Sequence, residues 1–163
     1  MSVVSNASPL IFLGKIGHIS LVRSLFYPPF LLSSQVAKEI LESAEPQEKK
    51  DLERELRHWK IRALNLSSPL KGAGSVADWS VFELAKSARP DIALADDKFL
   101  RGILTAADIP VSGTLGLIHL GFEKRVFSAK RARELVDMLV QKHNFWIDAG
   151  NYGRIMQSFQ GKT

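Results

Sequence analysis

The chain has 163 residues, 45% of them hydrophobic, which is enough to bury one core without covalent staples and sets the expectation of a single domain over residues 1–163. It has no cysteine, which excludes disulfide frameworks, thiolate metal sites and a cysteine nucleophile. The net charge of +5 favours encounter with a polyanion; with no signal-like start and no uncharged apolar run near the ~20 residues that span a bilayer, a soluble, cytoplasmic protein with no membrane partner is expected.

In chain order, the β-branched run from Ser2 to Ser5 reads as a strand, and Ser8-Pro9 reads as a helix start with Ser8 as N-cap. Leu10, Leu13 and Ile16 give that helix a buried stripe. A second short helix over Ile19–Phe26 is stopped by Tyr27-Pro28-Pro29. Its apolar residues Ile19, Leu21, Leu25 and Phe26 suit core packing better than a homodimer interface, the other use open to them. Phe30–Leu32 reads as a buried strand, followed by a helix capped at Ser33 or Ser34 and running to about Leu41.

Leu52, Leu56 and Trp59 predict an amphipathic helix over Glu45–Lys60, followed by a strand over Ile61–Leu66. The stretch SSPLKGAG is expected to be the most flexible. Next come a helix over Val76–Ala88, a strand over Ile92–Ala95, a helix over Lys98–Ala107 and a short strand at Pro110–Val111. A helix from Gly113 through Leu120 follows, and helices over Ala129–Lys142 and about Ala149–Phe159 close the chain. The basic run EKRVFSAKRAR reads as a solvated helix start.

Strands alternating with helices imply parallel pairing, because each crossover helix covers one face of a sheet. The expected fold class is therefore α/β, with a short central sheet. In such a sheet a functional site lies at the C-terminal strand ends, where Asn6 follows the first strand and Asp96-Asp97 follow Ile92–Ala95. Asp97 also suits the N-cap of the helix KFLRGILTA. Asp78 falls within about 60° of Val81, Phe82 and Ala85 on its helix, so it needs a partner unless it caps a helix that starts one turn later. Glu39 borders the apolar face of its own helix.

The segments VVSNASPLIFLGKIG, LLSSQVAKEIL, VADWSVFELA, IALADDKFLR and IPVSGTLGLI resemble, in this order, the motifs of PIN-domain proteins. The similarity is closest to the short prokaryotic branch related to VapC-type toxin ribonucleases, and it is strongest over residues 2–122, with the helices of 128–163 adding little. The resemblance implies a three-layer α/β/α sandwich on a parallel sheet. It also implies an acidic cluster holding Mg²⁺ or Mn²⁺ for hydrolysis of single-stranded RNA, and an antitoxin protein as possible partner. Carried over by motif, the family's site falls on Asn6, Glu39, Asp78 and Asp97, with Asp96 as an extra acid. Such a set suits the chemistry, since hard cations take carboxylate oxygen and lower the pKa of an attacking water. Ser5, Ser8 and Ser112 or Thr114 could orient ligands or water around it.

Asn6 departs from the family, which has an aspartate at that place. Its amide can offer a carbonyl oxygen to a cation but brings no negative charge, so metal affinity should fall and a second ion is disfavoured. Two readings follow. One is a Mg²⁺- or Mn²⁺-dependent, toxin-like ribonuclease using Asn6, Glu39, Asp78 and Asp97. The other is a catalytically weakened or inactive PIN-like module that binds RNA or a protein partner. A small phosphorylated ligand would require a glycine-rich phosphate loop after a strand, and GAG at Gly72–Gly74 is too short for one.

Overall fold

The structure, a computed structural model, describes residues 2–66 and 73–160. Of SSPLKGAG, residues 67–72 lie outside the described residues. Five parallel strands form one sheet in the order β3-β2-β1-β4-β5, built from β1 (Val3–Ser5), β2 (Phe30–Ser33), β3 (Trp59–Arg62), β4 (Ile92–Leu94) and β5 (Val111–Ser112). The residues of β1 and β2 are buried throughout, as expected for parallel strands covered on both faces.

Helices flank the sheet, giving the three-layer α/β/α sandwich expected from the sequence. They are α1 (Ala7–Lys15), α2 (Leu21–Leu25), α3 (Ser34–Ser43), α4 (Pro46–Leu56), α5 (Val76–Ala88), α6 (Lys98–Ala106), α7 (Thr114–Glu123), α8 (Ala129–Lys142) and α9 (Ala149–Ser158). The chain passes from β1 to β2 and β3 on one side, then returns to place β4 on the other side of β1. The C-terminal ends of β1 and β4 are therefore the topological switch point, where open α/β sheets form their binding crevice. Val4 pairs with Ala93 and Ser5 with Leu94, which sets Asn6 beside the strand that leads to Asp96.

Several boundaries differ from the sequence expectation: the strand expected over Ile61–Leu66 runs over Trp59–Arg62, the helix expected over Ile19–Phe26 is Leu21–Leu25, and the strand expected at Pro110–Val111 is Val111–Ser112. Two differences have a plain physical cause. Helix α1 begins at Ala7 with Asn6 at the N-cap, not at Ser8, because Asn6 (φ −80°, ψ 173°) continues the extended strand. Pro9 then stands at the third helical position, where its missing N–H is still one the helix would leave unbonded. The second difference is that α4 stops at Leu56 and Trp59 opens β3. The Trp59 ring lies 5.3 Å from Phe30 on β2, and its indole N–H donates to Glu55 Oε1 at 3.1 Å. Tertiary contact thus takes Trp59 out of the helical pattern that its spacing suggests.

One cluster of buried residues runs from Val3 and Val4 through Leu21 and Leu25 to Leu135, Val136, Leu139 and Phe159. Leu21 and Leu25 are core residues, the use that the sequence favours for them. Helix α9 contributes no buried residue of its own; Phe159, just past its end, is fully buried with its ring 5.6 Å from that of Phe122. In the basic run, Ser128 caps α8, Arg131 pairs with Glu134, and Arg133 donates to the Phe159 carbonyl, all structural uses. No helix of the described residues is long and apolar enough to cross a membrane.

Ser33 ends β2 and starts α3. Its hydroxyl accepts from the Val36 N–H at 3.1 Å and lies 2.7 Å from the Ser80 hydroxyl on α5. Ser33→Ala should cost about 1–2 kcal/mol, read from the urea midpoint, because it removes a buried cap and one of the two partners of the Ser80 hydroxyl, which keeps its bond to the Ala77 carbonyl. A midpoint equal to that of the wild type would show that the cap contributes nothing.

Candidate functional site

Asn6 is 6% exposed and sits at the switch point, its N–H donating to the Leu94 carbonyl at 2.8 Å. Its side chain makes no capping bond to α1, which leaves it free to reach across to α5. There Nδ2 lies 3.4 Å from Asp78 Oδ1, while Asn6 Oδ1 is buried with no hydrogen-bond partner among the described residues. An unpaired buried carbonyl oxygen costs free energy and is the kind of group that an ion or a water satisfies.

Helix α5 starts at Val76, as the sequence suggests, so Asp78 belongs to its first turn and does not cap a later start. The Ser75 hydroxyl accepts from the Asp78 N–H at 3.0 Å, and Asp78 Oδ2 accepts from the Ser75 N–H at 3.0 Å. This capping box, the N-terminal end of the helix dipole and the Asn6 amide together supply the partners that a half-buried carboxylate requires.

Glu39 lies on the exposed border of α3. Partial burial, and then the neighbouring Asp78 charge, hold its carboxyl above the ordinary value of 4.5. A raised folded-state pKa means that the contribution of Glu39 to stability is complete below that ordinary value and is lost as the pH rises through the folded one. Glu39→Gln should therefore gain on the wild type in melting temperature as the pH rises above that ordinary value and this carboxyl ionises. A constant difference across that rise would show that neither burial nor Asp78 holds this carboxyl up.

The adjacent acids after β4 part company. Asp97 is exposed and caps α6, its Oδ1 accepting from the Leu100 N–H at 2.8 Å. Asp96 turns inward: Oδ1 accepts from the Thr114 N–H and Oδ2 from the Thr114 hydroxyl, both at 2.7 Å, so it anchors the start of α7. Burial raises the Asp96 carboxyl, and these bonds together with the nearby Arg101 charge offset part of the rise. The fit explains the first glycine of SGTLG, since a Cβ at Gly113 would stand 2.6 Å from Asp96 Oδ1; one at Gly116 would press on the Ser112 hydroxyl instead.

Asp96, Asp97, Ser8 and Ser112 line a cavity of about 670 Å³ at the ends of β4 and β5, but Asn6, Glu39 and Asp78 do not. The acids therefore divide into Asp78, which meets Asn6 and whose charge reaches Glu39, and the pair Asp96 and Asp97 at the cavity. Of the other polar residues expected there, Ser5 donates its hydroxyl to the Asn6 carbonyl at 2.8 Å, and Thr114 is committed to Asp96. Sequence reasoning missed Lys98, Arg101 and the segment Phe145–Asp148, which also line the cavity. The signal for the last was FWID, three apolar residues with no helical register in a loop.

A hard cation takes several oxygen donors, and the unbonded Asn6 carbonyl oxygen close to Asp78 has the right chemistry for one of them. The rest is short. Asp96 has both oxygens engaged, Asp97 is a helix cap, and among the described residues no three acidic or histidine side chains form a group that could hold a metal ion. As they stand, the residues do not make the metal cage that the resemblance implies; the acid missing at position 6 is the clearest gap.

A family model described as DUF3368, a PIN domain, matches residues 2–161, so the closing helices belong to the match as well. Among solved structures, the fold is similar to that of a PilT N-terminus domain protein from the hyperthermophilic archaeon Sulfolobus solfataricus P2, with a TM-score of 0.52 and 15% identity. That similarity covers 72% of this chain and 90% of the archaeal one, and at this identity it concerns the fold. No curated protein matches the chain.

Proposed function

We propose, on the premise that this chain belongs to the PIN-domain family of the nuclease superfamily, that it is a module binding single-stranded RNA with a weakened hydrolytic site. The observation that carries this reading is at Asn6. Where the family places an acid, a neutral amide directs its N–H₂ group to Asp78, and the remaining acids are divided between two places. Binding does not require that acid. The net charge of +5 supports association with a polyanion. Anisotropy of a labelled single-stranded RNA, measured in EDTA, should show binding that weakens steeply as salt rises. No binding at low salt would overturn the reading and leave a protein partner, such as an antitoxin, as the alternative.

A second reading, a Mg²⁺- or Mn²⁺-dependent ribonuclease of the toxin-like kind, is favoured by one observation, the unpartnered Asn6 Oδ1. If a cation satisfies that oxygen, Mn²⁺ should raise the melting temperature of the wild-type chain, since a ligand that binds only the folded state stabilises it. An unchanged melting temperature at millimolar Mn²⁺ would remove this reading.

A further inference from the structure

The segment between α8 and α9 holds a large aromatic ring out in solvent. Trp146 is 82% exposed, while its neighbours Phe145 and Ile147 are tucked in, the alternation of an extended strip of chain. Both ends of the strip are fastened. Asn144 turns the chain with φ +55°, the Phe145 N–H donates to the Leu139 carbonyl at 3.0 Å, and the Phe145 ring packs edge-on to Phe12 at 4.9 Å. Asp148 caps α9 by accepting from the Asn151 N–H at 2.9 Å. The exposure of Trp146 is therefore imposed by a clamped backbone, and the free ring loses hydrophobic burial that a mobile loop could recover.

The Trp146 ring borders the cavity that Lys98 and Arg101 also line. Among the described residues neither cation forms an ion pair, although Arg101 stands near Asp96 and donates to the Ala95 carbonyl at 2.9 Å. The three cavity acids, Asp96, Asp97 and Asp148, each accept from the backbone N–H of a helix start, on α7, α6 and α9 in turn. Those helix ends offset part of their charge, and Lys98 and Arg101 are the cavity's groups suited to an anion.

A flat aromatic face beside two cations, in a cavity of ligand size, is complementary to an unpaired nucleobase and its phosphate. We propose that this cavity is a nucleotide subsite, in which the Trp146 ring stacks on an unpaired base and Lys98 and Arg101 receive the adjacent phosphate. The subsite lies at the ends of β4 and β5, apart from the Asn6–Asp78 contact, and it deepens the RNA-binding reading, on which it rests. Stacking is indifferent to base identity, so the subsite discriminates single strand from duplex and not one sequence from another.

The test uses the full-length chain with labelled single-stranded oligo(A), and a duplex RNA of the same length as control, in EDTA. Trp146→Ala should weaken single-strand binding roughly ten-fold or more, leave duplex binding unchanged, and keep the wild-type melting temperature because the ring is exposed. Trp146→Phe, which keeps a stacking face, should recover most of the affinity. Tryptophan fluorescence should fall as oligo(A) binds the wild-type chain, since Trp59 is buried and the indole of Trp79 is tied to the Ala73 carbonyl. If the wild type binds oligo(A) and Trp146→Ala binds it equally well, the subsite is overturned while the RNA-binding reading stands. If the wild type binds no single-stranded RNA, both fall.

Discussion

Asn6→Asp should bind Mn²⁺ at least about ten-fold more tightly than the wild-type chain, and should cleave single-stranded RNA faster by a similar factor. In the wild type, Asn6 Nδ2 faces Asp78 Oδ1 at 3.4 Å in a site that is 6% exposed at position 6. An aspartate there would replace a donor by an acceptor, and two carboxylates at that spacing repel unless a cation or a proton lies between them. In EDTA the variant should therefore melt below the wild type, and Mn²⁺ should restore more stability to it than to the wild type, as linkage requires. The two effects share one cause, so a variant that loses stability in EDTA but gains nothing from Mn²⁺ would mean that position 6 does not face a cation site.

Glu55→Ala should cost about 3 kcal/mol, the sum of a buried indole N–H left without an acceptor and a charge-assisted bond lost to the part-exposed Arg23. Glu55 is 2% exposed and takes the Arg23 Nε–H on both oxygens, at 2.9 and 3.1 Å, as well as the Trp59 indole N–H. One carboxylate thus joins α2, the end of α4 and the edge strand β3. Its removal leaves the buried indole N–H without an acceptor and the part-exposed guanidinium to water. For a chain of this length the loss corresponds to a fall in melting temperature of roughly 10 °C. Glu55→Gln, which keeps one acceptor oxygen, should lose less. Equal losses in the two variants would show that packing, and not the charge-assisted bonds, sets the cost.

Much of the architecture was legible because its signals are local. The Val3-Val4 strand, the Pro28-Pro29 stop and the Ser33 cap each depend on residues close in sequence. Trp59 was misplaced because its spacing from Leu52 and Leu56 is helical, whereas the contacts that fix it, to Phe30 and Glu55, arise only once the sheet and helix pack. The same distinction governs the candidate site. Asn6 and Asp78 could each be singled out from their own segment, since one ends a strand and the other puts an acid on an apolar stripe. Which of Asp96 and Asp97 turns inward depends on Thr114, eighteen residues further on, and no local pattern distinguishes two adjacent acids. The cavity wall at Trp146 was hidden for the same reason, since other lining residues come from α1, α6, β5 and α7.

The weakening at Asn6 is tested most directly by incubating end-labelled single-stranded RNA with excess wild-type chain in saturating Mn²⁺ and following bound and cleaved RNA in the same samples. RNA that is bound and stays intact on the timescale over which Asn6→Asp cleaves it is the expected result. Cleavage by the wild type as fast as by Asn6→Asp, abolished in Asp78→Asn, would contradict the account, because it would show that an amide at position 6 serves as well as an acid.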